Sequence, residues 1–334
     1  MFYSYQELDK LKSLYKNAFP EDSQNFVDHF FLSIFNKDIE LVQKKGEIIS
    51  AGCIVKKDGV ILGKASPVMY LSALCTHSSH RNKGHFTTVL IRLLNTLYKR
   101  NVPFCFLYPF NHTFYKRYDF CDVSFCCVDK IKGGEACVET CYTCNPPKNI
   151  LQVLARVEEA FYEGCDSHLT HTKHNFEHTL KEFAADGIPF SVYATSDNVD
   201  DIFAYGFTHK QKIIHYRTND MQKFKRIESL KGYTFYDFTG ATKPYIQARI
   251  VDVKAALQAS TFLIKSPFTI CVVDDWLKQN TATYRVENAK VEKIAGLPNS
   301  APNFSMSVAQ LTQLLLVGDD ILIKKQNNLF TDQY

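Results

Sequence analysis

The sequence predicts a mixed α/β (α+β) protein built from two or three domains. At 334 residues the chain exceeds the length over which a single hydrophobic core usually keeps growing. Hydrophobic residues make up 46% and charged residues 22%, a globular balance. Segments with helical spacing alternate with short apolar runs that read as strands.

The elements follow in order. "SYQELDKLKSLYKNAF" (4–19) places Leu8, Leu11, Leu14 and Tyr15 at helical spacing, and "QNFVDHFFLSIF" continues in that style. "IELVQKKGEIISAGCIVKK", turning at Lys-Gly, and "PVMYLSALCT" (67–76) read as strands. "HFTTVLIRLLNTLYKR" (85–100) is a helix whose apolar stripe is Val89, Leu90, Leu93, Leu94 and Leu97. "VPFCFLYPF" (102–110) is a buried strand, "NHTFYKRY" a short helix and "FCDVSFCCVDK" another strand. From about residue 146 the pattern restarts with helices in "PKNILQVLARVEEAFYE" and 174–187, then strands in "IPFSVYATSDN" and "DDIFAYGFTHKQKIIHYRT". A third section begins near "KGYTFYDFTG". It holds a strand-into-helix segment "YIQARIVDVKAALQAS", a hairpin "PFTICVVDDWLKQNTATYRVEN" and a helix "SMSVAQLTQLLLVG" closed by Gly318.

Charge and targeting signals narrow the class. The net charge of +4, 39 basic against 35 acidic residues, gives no argument for a nucleic-acid partner. "MFYSYQELDK" lacks the basic-then-apolar pattern of a signal peptide, and no apolar run spans a bilayer, so a cytosolic protein without a membrane partner is expected. Eleven cysteines, an odd number scattered through apolar stretches, suit reduced thiols.

The densest polar chemistry lies in "HSSHRNKGHFTTVL" (77–90), between a strand and an amphipathic helix. Free N–H groups at a helix start favour an anion, and Gly84 lets phosphate oxygens approach the backbone. Arg81 and Lys83 add positive charge where a helix ordinarily prefers acids. A phosphate site and a solvated basic turn both fit these residues.

"RNKG" followed by "HFTTVLIRLL" resembles the R/Q-x-x-G-x-G/A loop of the GNAT N-acetyltransferases, which holds the pyrophosphate of acetyl-CoA. "FYKRYDF" (114–120) is similar to that family's Y-x-x-x-G-F segment, whose tyrosine protonates the departing CoA thiolate. Together with "LSALCTHSSHRNKGHF", "LYPFNHTFYKRYDF", "PYIQARIVDV", "CVVDDWLKQNTATYRVEN" and the aromatic C-terminus, the chain resembles the Eis-like acetyltransferases. The resemblance is strongest over 67–120 and 244–334. It implies a GNAT domain at 1–145, a shortened second GNAT-like domain at 146–231, and a sterol-carrier-protein-like domain with its tail at 232–334.

Activity and site residues follow from the same resemblance. It implies acetyl transfer from acetyl-CoA directly to a primary amine: an aminoglycoside-like small molecule, a polyamine or a lysine side chain. Leu74, Cys75 and Thr76 would support the thioester carbonyl through a backbone N–H. Arg81, Asn82, Lys83, Gly84, His85 and Phe86 would cradle the pyrophosphate. Tyr115 would be the general acid; "VMYLSAL" carries no carboxylate, and the Eis-like resemblance implies the α-carboxylate of Tyr334 as the base. A homo-oligomer is implied as well. The chain departs from the family pattern at Phe86, where Gly or Ala is usual, and at Asp119, where Gly is usual. Those two positions support an alternative, a non-catalytic acyl-CoA or apolar-ligand binding protein.

No metal is expected. Cys137, Cys141 and Cys144 have the C-x3-C-x2-C spacing of some iron–sulfur sites, but such short spacings recur in Cys-rich chains. Among His168, His171, His174 and His178, the last two share a helix face at i, i+4, with no further ligand evident.

Overall fold

The computed structural model describes residues 5–33, 38–142, 146–170, 173–239, 242–264, 266–294, 301–318, 326 and 328–329. Helices α1 (Tyr5–Ala18) and α2 (Gln24–Ser33) come first, followed by strands β1 (Ile39–Lys44), β2 (Glu47–Ile61) and β3 (Lys64–Thr76). The β2–β3 hairpin turns on Leu62 and Gly63, both left-handed at φ +54° and +73°, a pair that matches the strands' own twist. Then come α3 (His85–Lys99), β4 (Phe104–Leu107), α4 (His112–Lys116) and β5 (Cys121–Lys130). The middle of the chain holds β6 (Val138–Tyr142), α5 (Lys148–Phe161), β7 (Ser167–Leu169), α6 (Lys173–Ala185), β8 (Phe190–Ala194), β9 (Ile202–His209), β10 (Lys212–Thr218) and α7 (Met221–Phe224). The last part holds β11 (Thr234–Asp237), β12 (Lys243–Ile250), α8 (Val253–Ala259), β13 (Phe268–Val273), β14 (Ala282–Glu287), β15 (Lys290–Ile294), β16 (Phe304–Ser307), α9 (Val308–Leu316) and β17 (Asn328–Leu329).

Among the described residues one mixed sheet runs in the order β17-β7-β2-β3-β4-β12-β5-β11-β10-β9-β8-β6, with β1 beside β2. A second sheet, β15-β14-β13-β16, lies within the C-terminal part. The large sheet crosses the boundary expected at 231/232. Strand β12 inserts between β4 and β5, antiparallel to both, and β11 pairs with β5 and β10. The apolar run in "YIQARIVDV" marks a strand, but nothing local to it specifies its neighbours.

Burial explains why these elements form. The predicted α3 stripe is fully buried, with Val89, Leu90, Leu93, Leu94 and Leu97 all at 0% exposure. Strand β4 is buried on both faces. Phe104 and Phe106 face the core of α1, α2 and α9, while Cys105 and Leu107 face the core under α3. Helix α9 starts on a capping box, with Ser307 and Gln310 each satisfying the other's backbone N–H. No helix among the described residues is long and apolar enough to cross a membrane.

The other cysteine and histidine clusters lie away from this core. Cys141 lies in β6 and Cys137 immediately precedes it, so about 13 Å of extended chain separates them, too far for one iron–sulfur cluster. Cys144 lies outside the described residues. His168 stacks on Tyr162 at 4.3 Å, while His171 and the side chains of His174 and His178 lie outside the described residues. No group of three or more His, Cys, Asp or Glu among the described residues is placed to hold a metal.

Candidate active site

The site begins where two parallel strands part. β3 and β4 pair only at Met69↔Cys105 and Tyr70↔Phe106, and no pairing joins them beyond. At that point β3 carries a bulge. Ala51 pairs with Cys75 and Cys53 with Ser72, so Ala73 and Leu74 together oppose Gly52. Ala73 takes a left-handed φ of +53°, and a Cβ on Gly52 would meet Leu74 Cδ2 at 2.5 Å. Of the three residues expected to support a carbonyl, the bulge takes in only Leu74. Cys75 and Thr76 are back in register with β2, and their carbonyls accept from Ser50 Oγ (2.9 Å) and Arg81 Nε (3.3 Å). Burial pushes the Cys75 thiol up to about 12, which keeps it neutral.

β3 runs through a short 3-10 turn (Ser78–His80) into the N-terminus of α3. Gly84 is the N-cap at φ +79°, with no side-chain cap and no acidic residue in the first turn. The amides of residues 84–87 precede the first intrahelical bond, Thr88 N to Gly84 O at 3.0 Å. Asn82 shares the left-handed conformation at φ +60°. Lys83 Nζ donates to Ser79 O at 2.9 Å, bracing the loop as Arg81 does. Neither Arg81 nor Lys83 has a carboxylate partner among the described residues. The rings of His77, His80 and His85 follow one another at 5.9 and 6.2 Å.

Phe86 joins this turn to the tyrosine. Its backbone belongs to the first turn of α3, while its ring packs against Phe114 (5.0 Å), Tyr115 (6.0 Å) and Tyr118 (5.8 Å). Tyr115 lies on α4, which is capped by Asn111 Oδ1 accepting from Phe114 N at 3.1 Å. Tyr115 is 4% exposed, and burial pushes its phenol well above the ordinary tyrosine value. Asp119 adopts φ +62°, the conformation for which glycine is usual, so the turn after α4 forms without glycine. Tyr334 lies outside the described residues.

Tyr115, Tyr108 and the bulge residues Leu71–Leu74 border a cavity of about 530 Å³. Its opposite side comes from the α1–α2 turn and from the middle of the chain. Glu21, Asp22, Glu182 and Asp186 contribute carboxylates, and neither lysine nor arginine lines it. Asp22 Oδ2 accepts from Tyr15 Oη at 2.6 Å, and Ser23 Oγ donates to Asp186. The Asp22 carboxyl is held above its usual value, first by burial and further by the nearby Glu21 and Asp186, against the bond from Tyr15. Nothing in the spacing of "PED" or "KEFAAD" marked these acids as one group; they meet only because α2 packs on α6.

The sequence profile described as "Acetyltransferase (GNAT) domain" matches residues 3–121, and the one described as "Sterol carrier protein domain" matches 253–321. The chain carries a GNAT acetyltransferase domain. No curated protein sequence matches the chain. The fold is similar over 100% of the chain to a conserved protein of unknown function from Enterococcus faecalis V583, described as a probable N-acyltransferase (15% identity, 98% of that chain, TM-score 0.77). It is likewise similar to Eis1 from Mycobacterium abscessus (15%, 100% and 99%, TM-score 0.69) and a GCN5-related N-acetyltransferase from Anabaena variabilis (14%, 100% and 99%, TM-score 0.73). An acetyltransferase domain at the start and a sterol carrier protein domain towards the end, in a fold similar to that of Eis1, agree with the resemblance read from the sequence.

The sterol carrier protein domain also reaches the acetyltransferase site. Arg249 of β12, 0% exposed, donates from Nη2 to both carboxylate oxygens of the fully buried Asp274 at 2.7 and 2.8 Å. Its other nitrogen donates to Tyr118 O and lies 3.3 Å from Asp119 Oδ2, so the turn after Tyr115 is tied to that pair. Trp276 packs against Tyr118 with ring centroids 4.8 Å apart and the planes tilted by 49°, and its Nε1 donates to Arg117 O at 3.0 Å. These residues escaped the sequence reading. The one available signal is a charged residue inside the apolar strand "YIQARIV", a pattern that calls for a buried partner.

Proposed function

We propose that the protein transfers an acetyl group from acetyl-CoA directly to a primary amine. The observation that carries this reading is Tyr115. A buried, neutral phenol borders a cavity that also holds four carboxylates, one packed aromatic ring away from an uncapped helix N-terminus. The exposed amides of 84–87, with Arg81 and Lys83 beside them, suit a pyrophosphate. Asn82 and His85 complete that loop. The bulge at Ala73–Leu74 interrupts the ladder where the carbonyl oxygen needs a donor. The cavity's carboxylates attract and orient an ammonium, and Tyr115 supplies the proton that the leaving thiolate requires.

Direct transfer is favoured because the thiol of Cys75, the residue after the bulge, is held neutral and a thiol is a poor nucleophile. In this proposal the α-carboxylate of Tyr334 keeps the role of base that the resemblance implies. Against the alternative of a binding protein, Asp119 takes the left-handed conformation for which glycine is usual, and the Phe86 ring packs beside Tyr115.

Release of free CoA thiol from acetyl-CoA in the presence of a panel of primary amines tests the proposal. Amine-dependent release that falls by roughly 10²–10⁴ in Tyr115→Phe, with acetyl-CoA affinity retained, is expected. Acetyl-CoA binding with no amine-dependent release would remove the transferase reading. Full turnover in a protein extended beyond Tyr334 would remove the terminal carboxylate from the mechanism.

A further inference from the structure

We infer that the acceptor is an amphipathic amine: one ammonium group on an aromatic or alkyl body, in place of a polyhydroxylated polyamine. This inference rests on the proposed amine acetylation and names the substrate class of the same cavity. Its argument is the apolar lining that accompanies the carboxylates. Phe19, Phe26, Phe110, Phe183, Ile188 and Ile214 line the space between the α1–α2 turn, the β4–α4 loop and the middle of the chain.

Acids and apolar rings share two of the three sources, and Phe110 and Ile214 come from elements that bring no acid. The acids lie on the α1–α2 turn and on α6 with the residue after it, where Asp22 is close enough to Glu21 and Asp186 for their charges to act on its carboxyl. Phe110 stands next to the catalytic phenol, its ring 5.7 Å from Tyr115, and is 72% exposed. A large aromatic left in solvent beside the reacting centre gains most from a ligand that covers it. Phe183 is already stacked on Phe207 at 4.2 Å and presents a rigid face.

An arylalkyl or long-chain amine removes apolar area from water against this lining while its ammonium meets a carboxylate. A polyhydroxylated ring must strip water from several hydroxyls; Ser72, Thr179, His215 and the acids can meet only those on their own side, and the phenylalanine and isoleucine side chains offer the others no hydrogen bond. A volume of about 530 Å³ holds a molecule of drug-like size.

The test is kcat/KM for acetyl transfer to a homologous series of n-alkylamines and arylalkylamines, beside spermidine and an aminoglycoside. The expected result is a rise of about fourfold per added methylene, the ratio that corresponds to ~0.8 kcal/mol for each CH2 buried. Phenyl-bearing amines should exceed both polyamines. Phe110→Ala, at a position too exposed to threaten folding, should flatten the slope, and Phe183→Ala should flatten it further. If amines are acetylated but the slope is flat, or the aminoglycoside is the best acceptor, this inference falls and the transferase reading stands. If no amine is acetylated, both fall.

Discussion

Replacing Arg249 by Met tests how far the C-terminal part of the chain supports the acetyltransferase site. Arg249 carries two charge-assisted bonds to Asp274, at 2.7 and 2.8 Å, and a third to Tyr118 O, all inside the protein. Methionine fills much of the stem's volume but leaves Asp274 without its cation. Removing one partner of a buried pair costs about 3–5 kcal/mol. Asp274 keeps three donors at 2.9 Å, from Trp276 N, Leu277 N and Asn280 Nδ2, which places the loss near the lower end, at about 3 kcal/mol. The chain's one tryptophan, Trp276, packs against Tyr118, so its fluorescence reports this region during urea unfolding. With a urea dependence of ~3 kcal/mol per molar, the midpoint should drop by about 1 M. The turn after Tyr115 loses its tether in the same variant, so kcat should fall more than acetyl-CoA affinity. A midpoint shift below roughly 0.3 M, which is less than ~1 kcal/mol, would refute the assignment of this pair as a structural tie.

Three further outcomes are expected. Gly84→Ala meets no atom within 4 Å, so its cost is the left-handed φ of +79° alone. That is ~1–2 kcal/mol, read as a weakening of acetyl-CoA binding by about tenfold. Asp22→Asn keeps an acceptor for Tyr15 but removes a charge, so kcat/KM for the amine should fall by about tenfold or more with acetyl-CoA affinity retained. Burial would raise the Asp122 carboxyl, but bonds from Lys116, His112 and Gln247 outweigh it and hold it below its usual value. The stability those bonds supply to α4 is therefore present above the ordinary aspartate range and lost as pH falls below it. The difference in urea midpoint between wild type and Asp122→Asn should be large at pH 6 and vanish in acid; a difference independent of pH would contradict this account.

Much of the site was legible in the chain itself because its signals are local. The spacing of Val89, Leu90, Leu93, Leu94 and Leu97 specifies a helix whatever lies around it. Gly84 at the head of that helix and the run "FYKRYDF" need no distant partner to be read. Asp119 shows the limit of such reading. Its departure from glycine supported the alternative of a binding protein, yet its backbone takes the left-handed conformation and its carboxylate approaches Arg249.

The sequence by itself determined the strand–turn–helix with its uncapped N-terminal amides, the place of Tyr115 in the short helix that follows β4, and the alternation of elements that makes an α/β chain. Each rests on periodicity or backbone conformation within a few residues. Only the tertiary structure decided that β12 enters between β4 and β5, that Gly52 makes room for the bulge at Ala73–Leu74, and that Glu21, Asp22, Glu182 and Asp186 share one cavity. Those contacts join residues up to 165 positions apart, from Glu21 to Asp186. They exist because burying apolar faces selects among strand and helix pairings that no single segment can specify.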